Sequence, residues 1–118
     1  MASQLASGDL ISDRYASALY DLAAEKKIID PVLNDLSNLK KILKDNKELN
    51  LVIKSPLITS PDKLNIFENL LKKINANELT NTFLKVIEKN KRFSNLASII
   101  TQFIKINSHK RGDVLAGI

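Results

Sequence analysis

The stretch Arg14-Tyr15-Ala16-Ser17-Ala18-Leu19-Tyr20-Asp21-Leu22-Ala23 carries more apolar surface than one buried stripe of a helix requires. At helical spacing Tyr15, Ala18, Leu19 and Leu22 form one face, with Ala16, Tyr20 and Ala23 beside it. A lone amphipathic helix resting on a core shows a single apolar stripe. A helix that is apolar over most of its circumference is either enclosed on all sides or keeps a second face for a partner. In a small domain the second option is a serious one, and it points to a binding module rather than an enzyme.

Helical spacing continues through the chain, and its punctuation predicts six helices. The first runs from about Leu10 to Lys27. Asp30-Pro31 reads as a cap followed by a first-turn proline, opening a second helix with the stripe Val32, Leu33, Leu36, Leu39 and Leu43. Asn46 can cap a short third helix with Leu49, Val52 and Ile53 inward, and the residue before Pro56 resists helical backbone, so this helix stops near Ser55. Ser60-Pro61-Asp62 repeats the cap-plus-proline signal before Leu64, Phe67, Leu70, Leu71 and Ile74. Asn77 can cap a fifth helix bearing Leu79, Phe83, Leu84, Val86 and Ile87. After the break at Asn90-Lys91-Arg92-Phe93, Ser94 can cap a sixth, with Leu96, Ile99, Ile100, Phe103 and Ile104. That helix ends at His109-Lys110-Arg111-Gly112, where cations suit the negative helix end and glycine permits a left-handed stop. Only Asp113 to Ile118 shows strand-like alternation. The predicted fold class is all-α, a six-helix bundle.

The 118 residues suit one domain with a core of its own. There is no cysteine, which excludes disulfides and thiolate chemistry, and no apolar run approaches the ~20 residues that span a bilayer. The first nine residues lack the basic region and apolar core of a secretory signal, and the arginines of a mitochondrial presequence. The formal net charge is +5; residues 1–30 carry −2 of it and the remainder +7. A basic domain invites a nucleic-acid reading, while the plainer one is that lysines solvate outer helix faces. Only Arg14, Arg92 and Arg111 could make bidentate base contacts, and no aromatic residues interleave with the basic ones.

The expected catalytic, cofactor-binding and metal residues are none. The single histidine, His109, has no gathering of ligands around it. The three glycines form no phosphate loop, and no serine sits in a nucleophile elbow. Asp21 and Glu25 lie one turn apart on a face expected to be exposed, as surface charge rather than an acid–base couple. Arg111-Gly112-Asp113 spells an adhesion tripeptide but reads as a helix stop.

What remains is surface for a protein. On the fifth helix Leu79, Phe83, Leu84 and Ile87 can face the core, while Thr82 and Val86 fall to one side, one turn apart. On the first, Tyr15, Ala18 and Leu22 lie beside the core face. Small Ala18 and Thr82 could floor a groove that holds one amphipathic helix of another chain. Equally, Ala18 could simply allow close packing of helices within the bundle.

Arg14-Tyr15-Ala16 with Ala18-Leu19 resembles the opening helix of the ATP synthase delta-subunit family, whose mitochondrial counterpart is the oligomycin-sensitivity-conferring protein. Ser55-Pro56 after a short helix, Asn90 with Arg92-Phe93, and Leu96 through Gln102-Phe103 continue the similarity in order along the chain. The resemblance implies an N-terminal six-helix bundle, 1–112, that sits on the catalytic head of the rotary synthase. It implies a groove between the first and fifth helices that grips the N-terminal helix of an alpha subunit, lined by Tyr15, Ala18, Thr82 and Val86; helical spacing adds Leu22. It implies that 113–118 begin a linker to a C-terminal domain, absent here, which meets the b-type stalk subunit. It further implies a non-catalytic stator subunit of the peripheral stalk, with no cofactor and no membrane insertion, at the cytoplasmic face of the bacterial inner membrane and monomeric when isolated. The competing class is a basic helical nucleic-acid-binding domain.

Overall fold

A computed structural model describes residues 7–111, and side chains from Leu10 to Lys110. Six helices follow in order: α1 (Ser7–Glu25), α2 (Ile29–Asp45), α3 (Lys47–Lys54), α4 (Ser60–Lys73), α5 (Glu78–Lys89) and α6 (Leu96–Arg111). A 3-10 turn, Phe93–Asn95, leads into α6. There is no strand among the described residues, and the chain is an all-α bundle. The predicted stop at Gly112 and the alternating tail 113–118 lie outside the described residues.

The core forms where the predicted stripes converge. Leu19, Leu36, Leu39, Phe67, Leu84, Ile87, Ile99, Ile100 and Phe103 are all enclosed. Each such side chain stabilises the fold by about 1.5–3 kcal/mol through the apolar area it removes from water. Helix α1 packs most extensively on α6, where the Tyr20 ring lies 5.3 Å from that of Phe103 and its hydroxyl donates to Asn107 Oδ1 at 3.3 Å. Phe67 of α4 meets Phe93 of the 3-10 turn with ring centroids 4.9 Å apart.

Asn46 accepts from Leu49 N at 3.1 Å and Asn77 accepts from Leu79 N at 2.9 Å, capping α3 and α5 as their positions predict. Helix α1 runs from Ser7 to Glu25 rather than from about Leu10 to Lys27, and three further starts differ. Helix α2 begins at Ile29, before the proline signal, so Asp30 is a first-turn residue and not its cap; Ile28 occupies the cap position without a side-chain bond. Helix α4 is capped by Thr59, whose Oγ1 accepts from Asp62 N at 3.3 Å, rather than by Ser60. The Ser60 hydroxyl instead accepts from Lys91 Nζ at 2.9 Å. Ser94 lies inside the 3-10 turn that precedes α6, and no described hydrogen bond engages its hydroxyl. Thr59→Ala is therefore expected to cost about 1 kcal/mol in thermal or denaturant unfolding, and Ser60→Ala only a few tenths; the reverse order would restore the predicted start.

The shift at α2 follows from how α1 ends. Lys27 takes a left-handed backbone (φ 59°), Ile28 N donates to Ala23 O at 2.8 Å and Lys27 N to Ala24 O at 3.1 Å. These paired bonds close the helix and turn the chain at once into the next one. Asn75 after α4 (φ 55°) and Lys91 after α5 (φ 60°) repeat the device. None of the three is glycine, which is why no glycine signals these ends.

The apolar face predicted for α1 is divided. Leu19 is enclosed with Ser12, Ala16, Tyr20 and Ala23, while Tyr15 is half-buried and Ala18 and Leu22 are exposed. Val86, written into the α5 stripe, is also exposed, and Thr80 and Glu88 take buried places on that helix. Asp35 of α2 is buried too: its Oδ2 accepts from Asn77 N at 2.7 Å and from Thr80 Oγ1 at 2.8 Å. A carboxylate is thus held at the positive end of α5, which fixes that helix against α2.

Candidate functional site

The residues singled out for partner binding lie on two helices that run in opposite directions. Tyr15, in the first half of α1, meets the end of α5: Asn90 Nδ2 donates to its hydroxyl at 2.9 Å. Its ring meets Phe83 edge-on, with centroids 6.4 Å apart and planes at 69°. Tyr15 thus bridges the two helices and forms part of the floor between them.

A depression of about 360 Å³ opens beside this bridge, lined by Ile11, Arg14, Tyr15, Ala18 and Arg92. A second, of about 530 Å³, opens at the other end of the helix pair, lined by Lys26, Ile28, Asn77, Glu78, Leu79 and Thr82. Leu22 lies on the α1 stripe between Ala18 and Lys26, one turn from each, and is 44% exposed. Val86 lies on α5 one turn from Thr82 and one from Asn90, and is 41% exposed. The structure brings Tyr15 and Ala18 into one depression and Thr82 into the other; Leu22 and Val86 line neither, and stand exposed between them along their helices.

Exposed Leu22 and Val86 stand between the two depressions, and each depression carries charged residues. At one end are the guanidinium-bearing Arg14 and Arg92; at the other, Lys26 stands with Glu78. Helical spacing could have found Ile11 and Arg14, which lie seven and four residues before Ala18 on the same stripe. Arg92 lies beyond α5, and only the left-handed turn at Lys91 brings it to α1.

A third depression, of about 630 Å³, lies elsewhere, between the α3–α4 connection and the end of α5. Two of its three lysines brace the loop: Lys63 Nζ donates to Ile53 O at 3.0 Å, and Lys91 Nζ to Ser60 Oγ. Asp21, Glu25 and His109 are exposed. Among the described residues no group of three or more acidic, histidine or cysteine side chains could hold a metal ion, and no helix is long and apolar enough to cross a membrane.

Comparison with known proteins accords with this architecture. The family model described as ATP synthase delta (OSCP) subunit matches residues 11–118. The ATP synthase subunit delta of Brucella anthropi is 34% identical over 116 residues, 98% of this chain and 61% of that protein. That of Rhizobium leguminosarum bv. trifolii is 33% identical over the same shares. A chain in the cryo-EM structure of the Toxoplasma gondii mitochondrial ATP synthase hexamer superposes with a TM-score of 0.74 at 33% identity, covering 78% of this chain and 51% of that one. This chain therefore spans about three-fifths of the length of the curated relatives it matches. With the model matching nearly its whole length, the chain belongs to the ATP synthase delta (OSCP) subunit family.

Proposed function

We propose that this chain is the head-binding part of a stator: it grips the N-terminal helix of an ATP synthase alpha subunit in the seam between α1 and α5. The observation that carries this reading is the seam itself. Two antiparallel helices leave Leu22 and Val86 exposed, with small Ala18 and Thr82 one turn away and a depression at each end. Exposed apolar side chains flanking small ones at helical spacing suit one amphipathic helix laid lengthwise.

The role follows from mechanics. A rotor that delivers torque to the catalytic head does work on the nucleotide sites only if the head is kept from turning with it. The subunit resists that load without chemistry of its own. An anchor needs slow dissociation more than fast encounter, and a desolvated apolar seam provides this better than exposed ion pairs do. The b-type stalk subunit is assigned to a C-terminal domain beyond 113–118, with residues 1–112 as the head-binding unit. In this reading the chain lies at the periphery of the complex, on the cytoplasmic face of a bacterial inner membrane, and the isolated chain is expected to be a monomer.

Titration separates this reading from a basic nucleic-acid-binding domain. The chain is expected to bind an alpha-subunit N-terminal peptide and not purified b subunits, with affinity falling less than about tenfold between roughly 50 and 200 mM salt. Phosphate contacts at six or more sites would instead cost about a thousandfold or more over that interval. Tight binding of duplex DNA with such a slope, or no binding of the peptide, would overturn the assignment.

A further inference from the structure

Among the described residues, the depression beside Tyr15 is lined by two cations and no anion. Arg14 and Arg92 both line it, and apolar Ile11 and Ala18 lie about one turn to either side of Arg14 on α1. Arg14 is exposed and Arg92 half-buried. The one ion pair among the described residues is Lys85 with Glu68, 3.7 Å apart on α5 and α4, and no described hydrogen bond engages either guanidinium. The two arginines come from segments 78 residues apart, so local sequence does not place them together; the turn at Lys91 does. At the other end of the seam Lys26 is offset by Glu78. Among the described residues that line the two depressions the charge is thus uneven, with two arginines and no acidic residue at one end and a lysine with a glutamate at the other.

We infer that Arg14 and Arg92 together receive a carboxylate of the docked helix, so that an acidic side chain on the partner sets its direction and register in the seam. The inference rests on the helix-in-seam reading and adds what that reading lacks: an apolar seam alone lets a helix bind either way round or slip by a turn. A planar guanidinium forks onto a carboxylate with two parallel bonds, and two guanidiniums lining one depression offer it two such forks. Closing the seam over the pair removes water from it, which strengthens the attraction and penalises any register that leaves the arginines facing apolar groups.

The test is a charge-reversal cycle on the full chain. The probes are a synthetic alpha-subunit N-terminal peptide and a set of copies in which each acidic residue is changed in turn to lysine. Arg92→Glu is expected to weaken the unmodified peptide roughly ten- to fiftyfold with an unchanged melting curve, and Arg14→Glu somewhat less because Arg14 is more exposed. One particular lysine-bearing peptide is expected to recover most of the loss on Arg92→Glu while binding the wild-type chain poorly. If the unmodified peptide binds and neither arginine variant alters its affinity, the clamp is wrong and the seam reading stands. Loss of affinity that no lysine-bearing peptide restores also overturns the clamp. Failure of the unmodified peptide to bind the wild-type chain removes the seam reading itself.

Discussion

Val86→Asp is expected to lower affinity for an alpha-subunit N-terminal peptide by roughly two to three and a half decades while leaving the bundle folded. Val86 is 41% exposed in the free chain, so a carboxylate there stays hydrated. The lost apolar contact costs about 1 kcal/mol, a fall of a few degrees in melting temperature. Under a docked helix the same carboxylate is buried without a partner, which costs about 3–5 kcal/mol by analogy with broken buried ion pairs. At about 1.4 kcal/mol per decade this gives the stated loss. Phe83→Asp, one turn away on the same helix, is the control: Phe83 is 7% exposed and should unfold the domain. Ala18→Asp is a weaker test, because Arg14 and Arg92 share its depression and offer the new charge a partner. A large melting shift for Val86→Asp would mark Val86 as core, and near-wild-type peptide affinity would remove α5 from the interface.

Asp35→Ala is expected to be among the most destabilising single changes in the chain, at about 2–4 kcal/mol. The carboxylate is 4% exposed and accepts from both Asn77 N and Thr80 Oγ1. Truncation strands two donors in a water-poor site, each costing about 1–3 kcal/mol if unsatisfied, and removes a negative charge from the positive end of α5. For a domain of this size the melting temperature should fall by roughly 10–20 °C. Asp35→Asn keeps one oxygen but turns an amide toward the same donors, so an intermediate loss is expected. Asp30→Ala, in the exposed first turn of α2, should stay within about 0.5 kcal/mol. A melting curve for Asp35→Ala close to wild type would show that water replaces the carboxylate without cost.

Secondary structure was legible because it is encoded over short spans. The stripes of α2, α4, α5 and α6 repeat at helical spacing, and Asn46 and Asn77 bond to backbone two or three residues away. Thr59 was missed by one position because Thr59 and Ser60 are both competent caps, and only the backbone decides which hydroxyl faces Asp62 N. The stripes of the seam were also local: Tyr15, Ala18 and Leu22, and Thr82 and Val86, follow from one-turn spacing on each helix. Periodicity left open whether Ala18 lay in the core or at the surface, since a small apolar residue beside a stripe suits both.

Tertiary structure alone decided which part of the α1 circumference is enclosed. Packing on α6 takes Ser12, Ala16, Leu19, Tyr20 and Ala23, and leaves Ala18 and Leu22 outside. It alone carried Asp35 to donors 42 and 45 residues away, and Arg92 to Arg14. A charged residue beside a buried leucine reads as surface until a distant helix end arrives to be satisfied by it. The division is one of range. Helical spacing and capping act within a turn or two and are written in neighbouring residues; burial, charge pairing and a seam between antiparallel helices depend on chain segments that meet only after the bundle closes.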